Sequence, residues 1–428
     1  RPLFAGPQED LGWSDTTVTN NAENPQKIDD LWHAAYNSKG VYINAQTPEE
    51  LVGAMKRALA AIEERTSSAS SVALNSGSLN ENTRTYQARF DSRDWSGELL
   101  SIPISDGSAN ATCTVDHAEG ELCPTEWNAG EELADQHWDT GRTILTWFPG
   151  DGTNAAGGAS FRWDNLSAAQ QEALKTDPDT GTVGSDAAGQ ARLDYLRGDA
   201  SNEGFGFRER DGDKLGDIVH SSPIFVGGAA FRWPDSLKTG TIASPGSVYA
   251  ETYSAFRTRV ANRTPLIYVG ANDGMLHAFN AYFDAQNNAT TDSGREVLAY
   301  VPHAVYPRIS ELTSPDYEHA FYVNGDITRG DAYFGSDNQW HTVIVGTLRG
   351  GGQGVYALDV TSPGTGSSPA GFSEGQPGSV VLWEFTDADN PNTVDPISGD
   401  PLVDGDPDLG YTYSRPSIAR MANGKWAA

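Results

Sequence analysis

Apolar residues in the second half of the chain repeat one pattern: a strand ending in Val-Gly, a glycine turn, and a second strand closed by Asn or Asp. The first copy covers residues 267–280 and the second covers 343–359, so the copies begin 76 residues apart. In the first copy the turn is Asn272-Asp273-Gly274, and such a turn between alternating apolar residues predicts a β-hairpin. Repeated four-stranded units protect strand edges in β-propellers, so the pattern predicts a propeller whose blades carry insertions.

Residues 1–65 follow a different pattern, in which apolar positions recur at helical spacing. One helix is predicted over 27–36 and a second over 47–62, with a short strand between them. The second helix begins with Thr47 as N-cap and Glu50 as the closing residue of a capping box. This order of helix, strand and helix is typical of the closing part of an α/β domain.

The middle of the chain, residues 66–203, is predicted to be a linker followed by a β-rich connecting region with short helices. Its first part, 66–78, is rich in Ser and Ala and has no period, so we interpret it as the domain boundary. The pattern beyond it predicts a hairpin, a further strand and two helices, at 85–102, 142–148, 168–174 and 191–196. Residues 204–428 carry the strand–turn repeats and are predicted to form the N-terminal blades of an incomplete propeller.

Composition supports a mainly β fold and limits the kind of partner. The 428 residues include 46 glycines and 23 prolines, which favours many turns. Asp and Glu number 58 against 29 Lys and Arg, giving a formal net charge of −29. Such an acidic surface repels nucleic acid and anionic lipid, whereas it suits calcium, cationic partners or simple solubility.

The two cysteines, Cys113 and Cys123, are spaced so that they can close a small disulfide loop, as in an exported protein. Two free thiols in a cytosolic protein are the alternative. No apolar run approaches the roughly 18 residues that a membrane span requires, and no signal peptide opens the chain. Both ends resemble cuts through continuing structure, so we expect the sequence to be a fragment of a longer protein.

Six short motifs occur in a distinctive order between residues 196 and 412. They are LRGD at 196–199, LGDIVHSSP at 215–223, YVGANDGMLHAF at 268–279, GDAYF at 330–334, GVYALDV at 354–360 and DLGYT at 408–412. In this order they resemble the PilC/PilY family of type IV pilus assembly proteins and tip-associated adhesins, over roughly residues 160–428. The predicted elements of 27–64 are similar to the end of the von Willebrand A-like domain that precedes the propeller in this family.

The resemblance implies a quinoprotein-like β-propeller in an exported protein at the pilus tip or outer surface of a Gram-negative bacterium. It implies roles in pilus extension and retraction, twitching motility and attachment to host cells or other surfaces, with minor pilins as partners. It also implies calcium as a cofactor. The family's calcium loop would follow residue 428, and the metal-ion adhesion motif of the A-like domain would precede residue 1.

Three Asp-rich segments are candidate calcium sites within the chain, because calcium binds six to eight oxygens that closely spaced carboxylates can supply. The segments contain Asp404, Asp406 and Asp408; Asp177 and Asp179, with Asp186 downstream; and Asp211, Asp213 and Asp217. For each of them, a solvated turn rich in Asp and Gly is the alternative interpretation.

Two tripeptides match the sequence that integrins recognise on exposed loops. They are Arg197-Gly198-Asp199 and Arg329-Gly330-Asp331. Both lie in segments that resemble turns of the fold itself, so an Arg–Asp pair that braces a turn is the alternative.

The sequence contains no recognisable catalytic motif. Its histidines are scattered, and it has no nucleophile elbow, phosphate loop or dinucleotide fingerprint. We therefore predict a non-enzymatic adhesin and assembly factor. The alternative is a quinoprotein-type dehydrogenase dependent on pyrroloquinoline quinone, because propellers of that class carry a similar strand–turn repeat; this chain lacks the adjacent cysteines common in those enzymes.

Overall fold

The computed structural model describes residues 67–74, 83–107, 113, 117–229, 231–241, 244–386 and 409–428. The α/β elements predicted for residues 1–65 lie outside these ranges, as do Asp404, Asp406 and Asp408. The strands are β1 (Ser67–Leu74), β2 (Arg84–Asp91), β3 (Ser96–Pro103), β4 (Trp127–Asn128), β5 (Ile144–Phe148), β6 (Gly157–Ser160), β7 (Ile224–Val226), β8 (Lys238–Gly240), β9 (Pro245–Val248), β10 (Leu266–Gly270), β11 (Leu276–Asn280), β12 (Glu296–Val301), β13 (Ile327–Phe334), β14 (Gln339–Thr347), β15 (Gly354–Asp359), β16 (Val381–Thr386), β17 (Ala419–Arg420) and β18 (Trp426–Ala427).

The helices of the described part are short. They are α1 (Ala129–Asp135), α2 (Ala168–Lys175), α3 (Asp186–Arg197), α4 (Tyr253–Arg259) and α5 (Tyr306–Ile309), with 3₁₀ turns at 163–165, 303–305, 310–313, 349–351 and 377–379. Among the described residues no helix has both the length and the apolar character that crossing a bilayer requires. The described chain is therefore mainly β.

Three sheets of four or more strands make up the described fold. The first has the order β1-β2-β3-β4, the second β6-β5-β12-β11-β10-β7, and the third β13-β14-β15-β16. Within the second sheet, β7, β10, β11 and β12 pair antiparallel in chain order, whereas β5 joins β12 in parallel. Two units therefore have the four-stranded antiparallel meander of a propeller blade, one of them extended by β5 and β6.

Both hairpins of the repeated pattern are confirmed, as is the predicted hairpin of β2 and β3. Strands β10 and β11 pair with Val269 opposite His277, and Gly274 in their turn has φ of +92°, a conformation that glycine adopts without strain. Strands β14 and β15 pair with Val345 opposite Ala357. The local turn sequence and the alternation of apolar residues were sufficient to predict these pairings.

Alternate residues of β10 enter two separate cores. Leu266 and Tyr268 pack in a large core shared with the third sheet and with helices α2 and α3. Ile267 and Val269 pack in a second core shared with β2, β3 and β4. The central sheet is buried on both faces, so the sheets are packed face to face, as blades of a propeller are.

The connecting region contains several elements that the sequence did not predict, namely β1, β4, α1 and β6. Residues 66–78 were interpreted as an irregular linker, but Ser67–Leu74 form β1 and pair with β2 at the edge of the first sheet. Helices α2 and α3 were both predicted, although α3 begins at Asp186, before the predicted start at 191. Helix α2 begins with the capping box of Ser167 and Gln170.

Candidate binding cleft

A cleft opens where two of the sequence motifs meet. It is lined by the turn of the β2–β3 hairpin (94–96), the segment 208–217, the β10–β11 turn at 272–273 and Tyr317. Residues 215–217 belong to one motif and 272–273 to another, and the fold brings these segments together across 55 positions of sequence. The cleft is therefore a candidate binding site.

Asp217 holds the floor of the cleft. Its buried carboxylate accepts hydrogen bonds from Asn272 Nδ2 at 2.7 Å and from His319 Nε2 at 2.8 Å. The His319 ring in turn stacks on Trp95, with ring centroids 3.6 Å apart. Trp95 has φ of +60°, a left-handed conformation that costs free energy for a non-glycine residue and is often found at functional sites.

A network of mostly buried charged side chains lies behind the floor of the cleft. Arg142 donates two hydrogen bonds to Glu296, at 2.7 and 2.8 Å, and the two side chains are 1% and 0% exposed. His277 lies between two carboxylates, with Nδ1 2.7 Å from Glu296 and Nε2 3.0 Å from Asp273. Asp273 also accepts the backbone N–H of Gly216, which connects the network to the cleft.

Opposed effects set the protonation states in this network. Burial alone would lower the pKa of His277, but the neighbouring carboxylates of Asp273 and Glu296 raise it to about 9. Burial would likewise raise the pKa of Glu296, but Arg142 and His277 lower it to about 2. At neutral pH the imidazole is thus a cation that donates to both carboxylates. Because its side chain is fully buried, it holds the strands together and cannot reach a ligand.

The opposite wall of the cleft carries two pairs of arginine and tyrosine. The Arg208 guanidinium lies 4.1 Å from the centre of the Tyr317 ring, and that of Arg210 lies 3.8 Å from the Tyr195 ring. Lys214 donates to the main-chain carbonyls of Ala134 and Gln136 at the end of α1. The cleft therefore combines aromatic faces with charges of both signs. These groups suit non-covalent binding of a ligand or partner.

The candidate calcium residues Asp177 and Asp179 are hydrogen-bond acceptors in the structure. Asp177 accepts hydrogen bonds from the Thr180 backbone and hydroxyl and from Arg192, and Asp179 accepts one from Ser314. The Asp177 carboxylate thus stabilises the turn in which it lies.

The third Asp-rich segment is not brought together either. Asp217 is buried in its network, while Asp211 lies on an exposed turn with φ of +51°. No group of three or more His, Cys, Asp or Glu within the described ranges is arranged to hold a metal ion.

The first Arg-Gly-Asp tripeptide is a helix end and is not displayed for recognition. Arg197 is 0% exposed and donates to the carbonyl of Phe161, and it forms an ion pair with Glu374 at 3.1 Å. Gly198 caps α3 with φ of +117°, and Asp199 bonds to Ser201. An integrin binds this tripeptide through an accessible arginine. Because Arg197 is buried, the integrin interpretation is wrong for this copy.

The second tripeptide lies within strand β13 and not in a turn. Arg329 donates to the carbonyl of Phe225, and Asp331, which is 3% exposed, accepts from Tyr253 and Thr342. Both the integrin interpretation and the alternative of a braced turn are therefore wrong here. The tripeptide links β7, β13 and α4.

Cys113 and Cys123 are joined in a disulfide with their Cα atoms 5.3 Å apart. This distance lies within the usual range for such bonds. Neither cysteine is free in the structure.

Sequence reasoning missed most of the residues that shape the cleft. Trp95, Arg208, Tyr317 and His319 come from separate connections, and no local pattern marks them. The partners of the buried Arg142–Glu296 pair are 154 positions apart, so no local sequence pattern could predict their contact. A single signal was present: Glu296 stands at the start of the apolar strand β12, where an unpaired carboxylate is rarely tolerated.

Comparisons with known proteins agree with the motifs. The family model of the PilY1 β-propeller domain matches residues 215–428. The type IV pilus biogenesis factor PilY1 of Pseudomonas aeruginosa strain PAK is 36% identical over 429 residues, which cover 97% of this chain and 31% of that protein. A type IV pilus biogenesis factor PilY1 homolog of Xylella fastidiosa is 32% identical over 94% of this chain and 27% of its own length.

One solved structure is also similar. The crystal structure of the Pseudomonas aeruginosa PilY1 C-terminal domain has 31% sequence identity and a TM-score of 0.28, and the match covers 47% of this chain and 30% of that one. The chain spans about a third of the length of the curated relatives it matches. With half of its residues matched by the family model, the chain belongs to the PilY1 β-propeller family.

Proposed function

We propose that this chain is part of a type IV pilus biogenesis factor and acts as a non-enzymatic binding scaffold. The observation that carries the proposal is the family match over 215–428, together with relatives of that name that align with 97% of the chain. The structure is compatible with such a role, because the stacked sheets are buried on both faces and leave their connecting loops for contact with partners.

The finer features of the proposal concern the whole protein. We propose that it is exported to the cell surface, lies at the pilus tip, contacts minor pilins and supports attachment and twitching motility. Its blades would follow the quinoprotein type of propeller, and residues 1–65 would complete a von Willebrand A-like domain. The acidic charge of −29 supports partners with basic surfaces.

A chimera tests the pilus role. The matching third of Pseudomonas aeruginosa PilY1 would be replaced by residues 1–428 in a strain that lacks its own copy. We expect surface pili and twitching zones to return to at least half of the wild-type level. A chimera that is present at normal abundance but restores neither would contradict the proposal, and a strain without any PilY1 provides the baseline.

We also propose that the whole protein binds calcium, at a loop that would follow residue 428. Calorimetric titration of this chain beside a form extended beyond residue 428 tests this. Uptake by the extended form alone is expected, whereas equal uptake by both would place a site within residues 1–428.

The dehydrogenase alternative has a direct assay. Purified protein would be mixed with pyrroloquinoline quinone and calcium, and dye-linked alcohol oxidation would be measured. The scaffold proposal expects no rate above that of the quinone alone, and a protein-dependent rate would contradict it.

A further inference from the structure

The most exposed large apolar side chain in the described part of the chain is Phe205. Its exposure is 87%, against 58% for Phe385, the next most exposed phenylalanine. Gly204 and Gly206 on either side have φ of +72° and +98°, so the backbone turns sharply on both sides of the ring. The side chain therefore stands at the tip of a tight loop.

The base of this loop is held firmly. Glu203 forms an ion pair with Arg210 at 2.7 Å, and Gly204 donates to the carbonyl of Phe207 at 3.0 Å. Phe207 packs edge-on against Tyr195, with ring centroids 5.5 Å apart, and the Arg210 guanidinium covers the same tyrosine. A phenylalanine presented on such a braced loop loses little conformational entropy when it binds, which is the property of an interface anchor.

The surroundings of Phe205 are acidic. Glu209 and Asp211 are exposed on the descending side of the loop. At the adjoining cleft, burial and the nearby carboxylates of Asp94 and Asp211 raise the pKa of Asp213. The cations of the same segment have partners of their own, because Arg210 pairs with Glu203 and Lys214 donates to main-chain carbonyls. Coulombic attraction would favour a partner that brings positive charge to this face.

The cleft beside the loop also contains an unsatisfied polar group. Tyr195 is buried and lines the cleft, and its hydroxyl makes no hydrogen bond to any described residue. A buried hydroxyl without a partner is costly, so this tyrosine is held in place by its ring contacts with Phe207 and Arg210.

We propose that Phe205 and the acidic face formed by Glu209, Asp211 and Asp213 are the docking surface for a protein with an apolar pocket rimmed by Lys or Arg. Phe205 fills the pocket and the carboxylates face the basic rim. This inference rests on the proposed function, which makes a minor pilin the partner.

The expected effects follow from the two parts of the surface. Removing a central aromatic anchor typically weakens an interface by about 30-fold, mostly through faster dissociation. Removing rim charges mainly slows association and reduces its dependence on salt. Because Phe205 is exposed and packs on little of the fold, its truncation should leave stability unchanged.

The test uses the full 428-residue chain and the purified soluble domains of the minor pilins from the same bacterium, measured by surface plasmon resonance. We expect Phe205→Ala to weaken binding by about 30-fold, and Glu209→Gln with Asp211→Asn to slow association several-fold at low salt. Phe385→Ala is the matched control, because it removes an equally large exposed ring elsewhere, and it should bind like the wild type.

Three results would overturn the inference. One is equal affinity of Phe205→Ala and wild type, and another is the absence of binding by the wild-type chain. In the second case the chimera could still restore pili, so the proposed function would stand while this docking surface fails. The third concerns the rate at which maleimide labels Phe205→Cys. If labelling is slow in the full-length protein but fast in the 428-residue chain, another segment of the same protein covers the loop.

Discussion

Replacing Glu296 with glutamine should destabilise the fold strongly. The substitution keeps the size of the side chain but removes the charge that faces Arg142 at 2.7 Å and His277 at 2.7 Å. Both members of the Arg142–Glu296 pair are almost completely buried, and removing one partner of such a pair typically costs about 3–5 kcal/mol. Two buried cations would then share the single carboxylate of Asp273.

The cost of this substitution should also depend on pH. The folded pKa of His277 is raised to about 9, above its unfolded value of 6.5, so its stabilising contribution is complete below pH 6.5 and is lost as the pH rises through 9. Glu296 supplies part of that contribution. The difference in stability between wild type and Glu296→Gln should therefore be larger at pH 6 than at pH 9.

Urea titrations followed by tryptophan fluorescence at pH 6, 7.5 and 9 would measure both effects. Glu311→Gln is the matched control, because Glu311 pairs with Arg308 at 3.0 Å while both side chains are more than 40% exposed. An exposed pair of this kind contributes at most about 1 kcal/mol. The reasoning would be refuted if Glu296→Gln lost no more free energy of unfolding than Glu311→Gln.

Three further predictions concern other parts of the fold. Burial raises the pKa of Glu384 from 4.5 to about 7, so the free energy of unfolding should fall by at most about 3 kcal/mol as the pH rises from 4.5 to 7. Glu384→Gln should abolish this pH dependence in urea titrations, and an unchanged dependence would contradict the assignment. Replacing Cys113 and Cys123 with serine opens a loop closed over 10 positions and should cost about 2–3 kcal/mol, measured as a lower unfolding midpoint under oxidising conditions and no shift under reducing ones. A Cβ on Gly270 would lie 2.2 Å from a backbone carbonyl oxygen, so Gly270→Ala should lose about 1–3 kcal/mol in thermal unfolding, whereas Gly157→Ala, with open space around it, should be neutral.

Local signals explain which elements could be predicted. The β10–β11 hairpin follows from the Asn-Asp-Gly turn and the alternation around it, and α2 follows from its Ser167 cap. In contrast, β1 has a Ser/Ala sequence without a period, and its strand exists because it can pair with β2. The parallel pairing of β5 with β12 joins segments that are distant in the sequence, and no local pattern in either strand predicts it.

The two Arg-Gly-Asp tripeptides show the same limit for function. Their sequence is identical, yet one ends a helix with its arginine buried and the other lies inside a strand. A motif states which groups are present, and only packing decides whether solvent or a partner can reach them.

By itself, the amino-acid sequence determined the class of fold, the hairpins, the capped helices, the acidic charge and the resemblance to the PilC/PilY family, because each depends on residues close in the chain or on totals. The tertiary structure decided the stacking of the three sheets, the sealed Arg142–Glu296–His277 network, the cleft and the exposure of Phe205. These features depend on which distant surfaces meet and exclude water, and that is a property of the folded chain as a whole.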